Sequence, residues 1–120
     1  MPRFVLVTSV LIVDDHPSFR ASARALLQAE GFEVVGEAAD GATGLQLARE
    51  LEPDLVLLDV ALPDMSGFDV AAALAAAASS VVLVSSRDQS AYGSAIGTSG
   101  ALGFITKADL SRGALARVLK

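Results

Sequence analysis

Five short apolar runs punctuate the chain, at residues 10–13, 34–38, 55–59, 81–85 and 103–106. Each is too short for a stable helix, and the runs are rich in β-branched and aliphatic residues. Because they are apolar throughout rather than alternating, they predict strands buried on both faces of a parallel sheet. Between them, apolar residues recur at helical spacing. Phe19, Ala23, Leu26 and Leu27 form one stripe, and Ala42, Leu45 and Ala48 lead into Leu51 on another. Phe68, Ala71, Ala72 and Leu74 open a third, in an alanine-rich stretch of high helix propensity. A weaker fourth helix is expected over residues 89–98, where Gly93 and Gly97 each cost about 1 kcal/mol relative to alanine. The fifth is expected to begin at Asp109 as a cap and to run through Leu110, Leu115, Val118 and Leu119. Gly31, Pro53-Asp54, Gly100 and Gly103 mark boundaries between these elements. Residues 75–80 leave little room for both a helix end and a loop. Five strands alternating with five helices predict an α/β fold on a parallel sheet.

At 120 residues the chain is one domain's worth, able to bury roughly 65% of its unfolded surface. The domain is expected over residues 10–120, with 1–9 an N-terminal extension or the start of the first strand. The absence of cysteine excludes disulfides and thiolate metal sites and fits a cytoplasmic location. No apolar run approaches the ~20 residues of a membrane helix. The early apolar stretch meets Asp14 and Asp15 with no small-residue cleavage site, so neither a membrane anchor nor a signal peptide is expected. A net charge of −5, with nine scattered Lys and Arg residues, argues against direct nucleic-acid contact.

In open α/β sheets, ligand sites gather outside the carboxyl ends of the strands. The first predicted strand ends in Asp14-Asp15, the third in Asp59 and the fourth in Ser85-Ser86, and the fifth is followed by Lys107. Taken singly, each has a plainer reading. Asp14 and Asp15 could cap the helix near Pro17, Ser85 could satisfy backbone groups, and Lys107 could be solvated. Together they place three carboxylates, a hydroxyl and an ammonium on one sheet edge. Like charges ~4 Å apart repel by about 4 kcal/mol at an effective dielectric of 20, and a hard cation relieves this. Oxygen ligands without His or Cys favour Mg²⁺. A site with both metal and lysine anticipates a phosphoryl group, with Asp59 as nucleophile. His16, the one histidine, is expected to pack beside the acidic pair.

Leu11-Ile12-Val13-Asp14-Asp15-His16-Pro17, Asp54-Leu55-Val56-Leu57-Leu58-Asp59-Val60, Leu62-Pro63-Asp64-Met65-Ser66-Gly67, Val82-Leu83-Val84-Ser85-Ser86 and Gly103-Phe104-Ile105-Thr106-Lys107 occur in this order. The set resembles response-regulator receiver domains of two-component signalling, over about residues 10–119. The Asp-Asp-His-Pro start, with Gly36-Glu37-Ala38, is similar to the LuxR/NarL-type branch, whose members usually carry a C-terminal helix-turn-helix. The resemblance implies a doubly wound, CheY-like (βα)5 sheet in strand order 2-1-3-4-5. It implies Asp59 as phosphoacceptor, and Mg²⁺ held by Asp14, Asp15, Asp59 and the backbone carbonyl of Ala61. Ser85 would bond the phosphoryl group, Lys107 would be the family's lysine, and Ser85 with Phe104 would form the switch. Pro63 and Gly67 match the loop after the acceptor.

The implied partners are a sensor histidine kinase as phosphodonor, and an output protein or dimer partner. The second would meet the face of the fourth helix, fifth strand and fifth helix, residues 87–120, where Tyr92 is a candidate anchor. The chain would be a switch rather than an enzyme, with no membrane partner. Two departures stand out. Ala108 replaces the proline many relatives have after the lysine, so a cis peptide is not expected there. No DNA-binding domain lies within these residues, which makes the chain a stand-alone receiver or a fragment. A receiver-shaped interaction module that is never phosphorylated is the alternative. An aspartyl phosphatase commonly has a second Asp where Ala61 stands, and the glycine-rich motif of a nucleotide-binding domain is missing.

Overall fold

The computed structural model describes residues 8–111 and 113–119. Five strands, β1 (Ser9–Val13), β2 (Glu33–Ala38), β3 (Leu55–Asp59), β4 (Ser80–Ser85) and β5 (Gly103–Thr106), pair in parallel in the order β2-β1-β3-β4-β5. Five helices follow them in turn: α1 (Pro17–Ala29), α2 (Gly41–Leu51), α3 (Gly67–Ala76), α4 (Ala95–Thr98) and α5 (Ala114–Leu119). The predicted strand order and alternation are those observed. β1 begins at Ser9, where the Thr8 carbonyl accepts from the Glu33 amide, and residues 1–7 of the expected extension lie outside the described residues. Among the described residues no helix is long and apolar enough to cross a membrane.

The period-2 geometry of the strands divides the apolar residues between two cores. Leu11, Val13, Val56, Leu58, Val81 and Leu83 face α2, α3 and α4, meeting Ala48, Val70, Leu74 and Ile96. Val10, Ile12, Leu55, Leu57, Val82 and Val84 face α1 and α5, meeting Ala23, Leu27, Ala114 and Leu115. Burial on both faces holds for the central strands β1, β3 and β4. It does not hold for β2 and β5, which are sheet edges and only half-buried along most of their length.

The helical expectations need two corrections on the fourth and fifth segments. Residues 89–98 form a 3-10 turn at Gln89–Ala91 and then the single turn α4 rather than one helix. Gly93 stands between the two at φ +56°, a left-handed conformation that interrupts a helix. Asp109 does not cap α5. It closes a 3-10 turn over Lys107–Asp109, and α5 starts only at Ala114.

The tight stretch at residues 75–80 is resolved by a compact helix ending. At the end of α3 the Ser79 amide donates to the Leu74 carbonyl and the Ala78 amide to that of Ala75, each at 2.9 Å. This is the Schellman arrangement, and it puts Ala78 at φ +64°. α1 ends identically, with Phe32 donating to Leu27 and Gly31 to Gln28, but there the left-handed position is Gly31, at φ +91°. The same turn is thus built once with its favoured residue and once against a Cβ clash.

A second contact braces the carboxyl edge of the sheet. Asp64, in the loop after β3, accepts from the amides of Gly41 at 2.7 Å and Ala42 at 2.9 Å, the free N–H groups opening α2. Those two hydrogen bonds, Gly41's first, hold the Asp64 carboxyl below its ordinary pKa. α2's own cap, Asp40, takes the Thr43 amide, so three amides of the first turn are satisfied.

Two outcomes follow. Ala78→Gly should raise the unfolding free energy by about 1 kcal/mol in urea denaturation, since glycine carries no penalty in the left-handed region. Because the folded-state pKa of Asp64 is depressed, its contribution is fully present above its ordinary pKa and is lost as pH falls through the lower folded value. The stability difference between wild type and Asp64→Asn, measured by urea denaturation from pH 7 downward, should therefore shrink in strongly acidic solution.

Candidate functional site

The parallel register makes the site. Val13 lies beside Leu58, so the residues that follow, Asp14 and Asp59, leave adjacent strands side by side. Both are almost fully buried, at 0% and 2% relative exposure. Asp15 and His16 continue from β1 over the same edge. One ligand atom from each of Asp14, Asp15, His16 and Asp59 falls within 4.8 Å of the others. Lys107, at the start of the turn after β5, reaches back past the end of β4. Its Nζ lies 2.6 Å from Asp14 Oδ2 and 3.3 Å from Asp59 Oδ2. The ammonium also lies 4.5 Å from the centroid of the Phe19 ring on α1, a cation–π contact that helps hold the long side chain in place.

Backbone contacts fix the acids. The Asp14 Oδ1 accepts from the His16 amide at 2.8 Å, and the Asp14 carbonyl accepts from Arg20 Nη1 at 2.7 Å. Arg20 is itself held, with Arg24, by Glu37 of β2. Asp59 Oδ1 accepts from the Ala61 amide at 3.3 Å. Beneath this turn is Gly67, whose amide donates to the Val60 carbonyl at 2.8 Å. A Cβ at position 67 would stand 2.2 Å from the Asp59 carbonyl oxygen, so the β3–α3 turn closes this tightly only on glycine.

Burial raises the Asp59 pKa above its ordinary value, and the charge of Asp14 adds to the effect, while Lys107 opposes it. One ammonium is thus shared between two buried carboxylates. Asp14 Oδ2 and Asp15 Oδ1 are buried without an aligned hydrogen-bond donor, although cationic or imidazole nitrogens lie close. Such orphaned carboxylate oxygens, converging with Asp59, suit a hard divalent cation, and the acidic cluster could hold one. His16 packs beside the acidic pair, as expected, with its Nδ1 2.9 Å from Asp14 Oδ1 and 3.1 Å from Asp15 Oδ1.

Ser85 ends β4 beside Thr106 and is 3% exposed. Its Oγ accepts from the Arg87 amide at 3.0 Å and lies 2.5 Å from the Tyr92 hydroxyl. Asp59 and Lys107 are not its hydrogen-bond partners here. Phe104, on β5, is half-buried against the α2–α3 side of the sheet and has its ring centroid 5.8 Å from that of Tyr92. Sequence reasoning brought Asp14, Asp15, Asp59, Ser85 and Lys107 to the correct edge. It did not find the Tyr92 bond to Ser85, the Arg20 bond to the Asp14 backbone or the Asp64 brace. Helical and strand periodicities carry no signal for such cross-element polar contacts.

The model of the response regulator receiver domain family matches residues 10–119. Over 104 residues the chain is 39% identical to the virulence factors putative positive transcription regulator BvgA of Bordetella pertussis, covering 85% of this chain and 50% of that protein. It is 40% identical over 101 residues to the nitrate/nitrite response regulator protein NarP of Escherichia coli, covering 82% of this chain and 47% of NarP. The chain thus spans about half the length of these curated relatives. Among solved structures, the signal receiver domain of the putative response regulator NarL from Mycobacterium tuberculosis superposes with a TM-score of 0.79. That match has 36% identity and covers 94% of this chain and 97% of that one. With the fold, the strand order and the acidic edge already in hand, these matches make the chain a member of the response regulator receiver domain family, of the NarL/LuxR type.

Proposed function

We propose that residues 10–120 are a phosphoacceptor switch, taking a phosphoryl group on Asp59 from a sensor histidine kinase in the cytoplasm, with residues 1–9 an N-terminal extension or the start of the first strand. The observation that carries this reading is the buried Asp59 carboxylate, beside the second acid Asp14 and within 3.3 Å of the Lys107 ammonium. In the transfer, an Asp59 carboxylate oxygen forms a bond to phosphorus as the bond from phosphorus to the donor's histidine nitrogen breaks. The leaving nitrogen keeps the electron pair. Lys107, already against Asp59, would pair with a phosphoryl oxygen, and Ser85 would donate its hydroxyl proton to another. Asp14, Asp15, Asp59 and the Ala61 carbonyl would hold Mg²⁺, which when bound supplies positive charge to the phosphoryl oxygens.

The product adds about −1.5 to −2 charge at this edge. Movement of Ser85 toward it, with Phe104 following, would alter the α4-β5-α5 face, to which an output protein or dimer partner would bind. The half-length match to transcription regulators supports an output carried by a separate domain. The net charge of −5 supports no direct role for this chain on nucleic acid. The chain would be a switch rather than an enzyme with a substrate of its own.

Intact mass after incubation with a small phosphodonor tests the reading. A single phosphoryl adduct should appear only with Mg²⁺ and be absent from Asp59→Asn. An unlabelled wild type, under conditions that label another receiver, would leave a receiver-shaped interaction module as the better account. The same variant tests the electrostatics. Without metal, Asp59→Asn should be more stable than wild type in urea, by on the order of 1–2 kcal/mol, because it removes one of two adjacent buried like charges. Adding Mg²⁺ should stabilise the wild type and narrow that difference.

A further inference from the structure

Ser85 is not free in this structure, and a count of its hydrogens says what holds it. A serine hydroxyl has one proton to give and two lone pairs to receive. The Arg87 amide takes one lone pair at 3.0 Å. The remaining neighbour is the Tyr92 hydroxyl at 2.5 Å, at a site where Ser85 is 3% exposed. If Tyr92 donated here, the Ser85 proton would be buried with no acceptor among its observed partners. If Ser85 donates, its proton is satisfied, and the partly exposed Tyr92 can turn its own proton toward water. The second arrangement leaves no buried hydroxyl proton unpaired and is therefore favoured.

Tyr92 also has a mechanical position. It follows the 3-10 turn at Gln89–Ala91, and its ring lies between Phe68 of α3 and Phe104 of β5, with centroids 5.4 Å and 5.8 Å away. The rest of this segment is weakly held. α4 is one turn with Ile96 as its buried residue, and a Cβ at Gly93 or Gly97 would meet nothing within 4 Å. Tyr92 is thus the side chain that ties the segment both to the end of β4, through its hydroxyl, and to the aromatic cluster, through its ring.

We propose that Tyr92 is a positioning residue for Ser85, accepting its hydroxyl proton in the resting state and competing for it with a phosphoryl group on Asp59. This rests on the phosphoacceptor reading above. A phosphoryl group offers acceptor oxygens and no proton, so Ser85 can serve it only by withdrawing its proton from Tyr92. Tyr92 must then turn to donate or leave the end of β4, and in either case its surroundings change. Occupation of Asp59 is thereby passed to the segment before α4 through one hydroxyl pair, in addition to any movement of Phe104.

The chain has one tyrosine and no tryptophan, so its intrinsic near-ultraviolet emission reports largely on Tyr92. Wild type, Ser85→Ala and Tyr92→Phe are each incubated with acetyl phosphate and Mg²⁺ and followed by intact mass, with tyrosine emission followed as well on wild type and Ser85→Ala, which keep the tyrosine. Emission of wild type should change in step with adduct formation, while adduct that forms on Ser85→Ala should leave it unchanged. Tyr92→Phe keeps the ring and removes the competing acceptor, so its ratio of adduct to free protein at subsaturating donor should rise about fivefold, the equivalent of one ordinary hydrogen bond. Adduct on wild type with constant emission, or a Tyr92→Phe ratio equal to or below that of wild type, overturns the competition while leaving Asp59 as the acceptor. An absence of adduct on wild type defeats the phosphoacceptor reading and this coupling with it.

Discussion

Two carboxylates, Asp14 and Asp59, emerge side by side from adjacent strands with almost no access to water, and one lysine ammonium is shared between them. Buried like charges are costly, and the surroundings of this pair read as responses to that cost. Lys107 reaches across from the far side of β4 and is steadied by the Phe19 ring. The His16 and Ala61 amides donate to the carboxylates, and Arg20 fixes the backbone of Asp14 from α1. The charge remains incompletely balanced, which leaves the edge receptive to a cation.

The framework around this edge is uneven. β1, β3 and β4 are buried on both faces, and the β3–α3 turn is closed on Gly67 with no space for a side chain. The loop after β3 is braced onto α2 through Asp64. The acidic pair therefore sits on rigid elements. By contrast, the segment between β4 and β5 has a 3-10 turn, a single helical turn and left-handed glycines at 93 and 100. Few buried apolar side chains hold it, which places it at the low end of local stability. The lightly held segment is tied to the end of β4 where Ser85 meets Tyr92.

Much of this was legible along the chain. Short apolar runs with polar residues at their carboxyl ends predicted both the parallel sheet and the edge on which Asp14, Asp15, Asp59, Ser85 and Lys107 meet. The reason is that strand burial and strand polarity are written in consecutive residues. The departures came where a local pattern was weak or where a contact joined distant elements. Residues 89–98 look helical by spacing, yet Gly93 adopts a left-handed conformation and divides them. Asp109 looks like a helix cap, yet it closes a short turn instead. Ala78 carries no hint of its left-handed backbone, because that conformation ordinarily falls to glycine.

By itself, the sequence determined the alternation of strands and helices, the family, and which polar side chains would end the strands, since each depends on residues adjacent in the chain. The tertiary structure alone decided how those side chains divide their partners. Register and packing bring Lys107 to both buried acids and Tyr92 onto Ser85. These are distances between separate elements, and a hydroxyl or an ammonium has only so many bonds to give. Which neighbour receives them is set by where the folded backbone leaves each group.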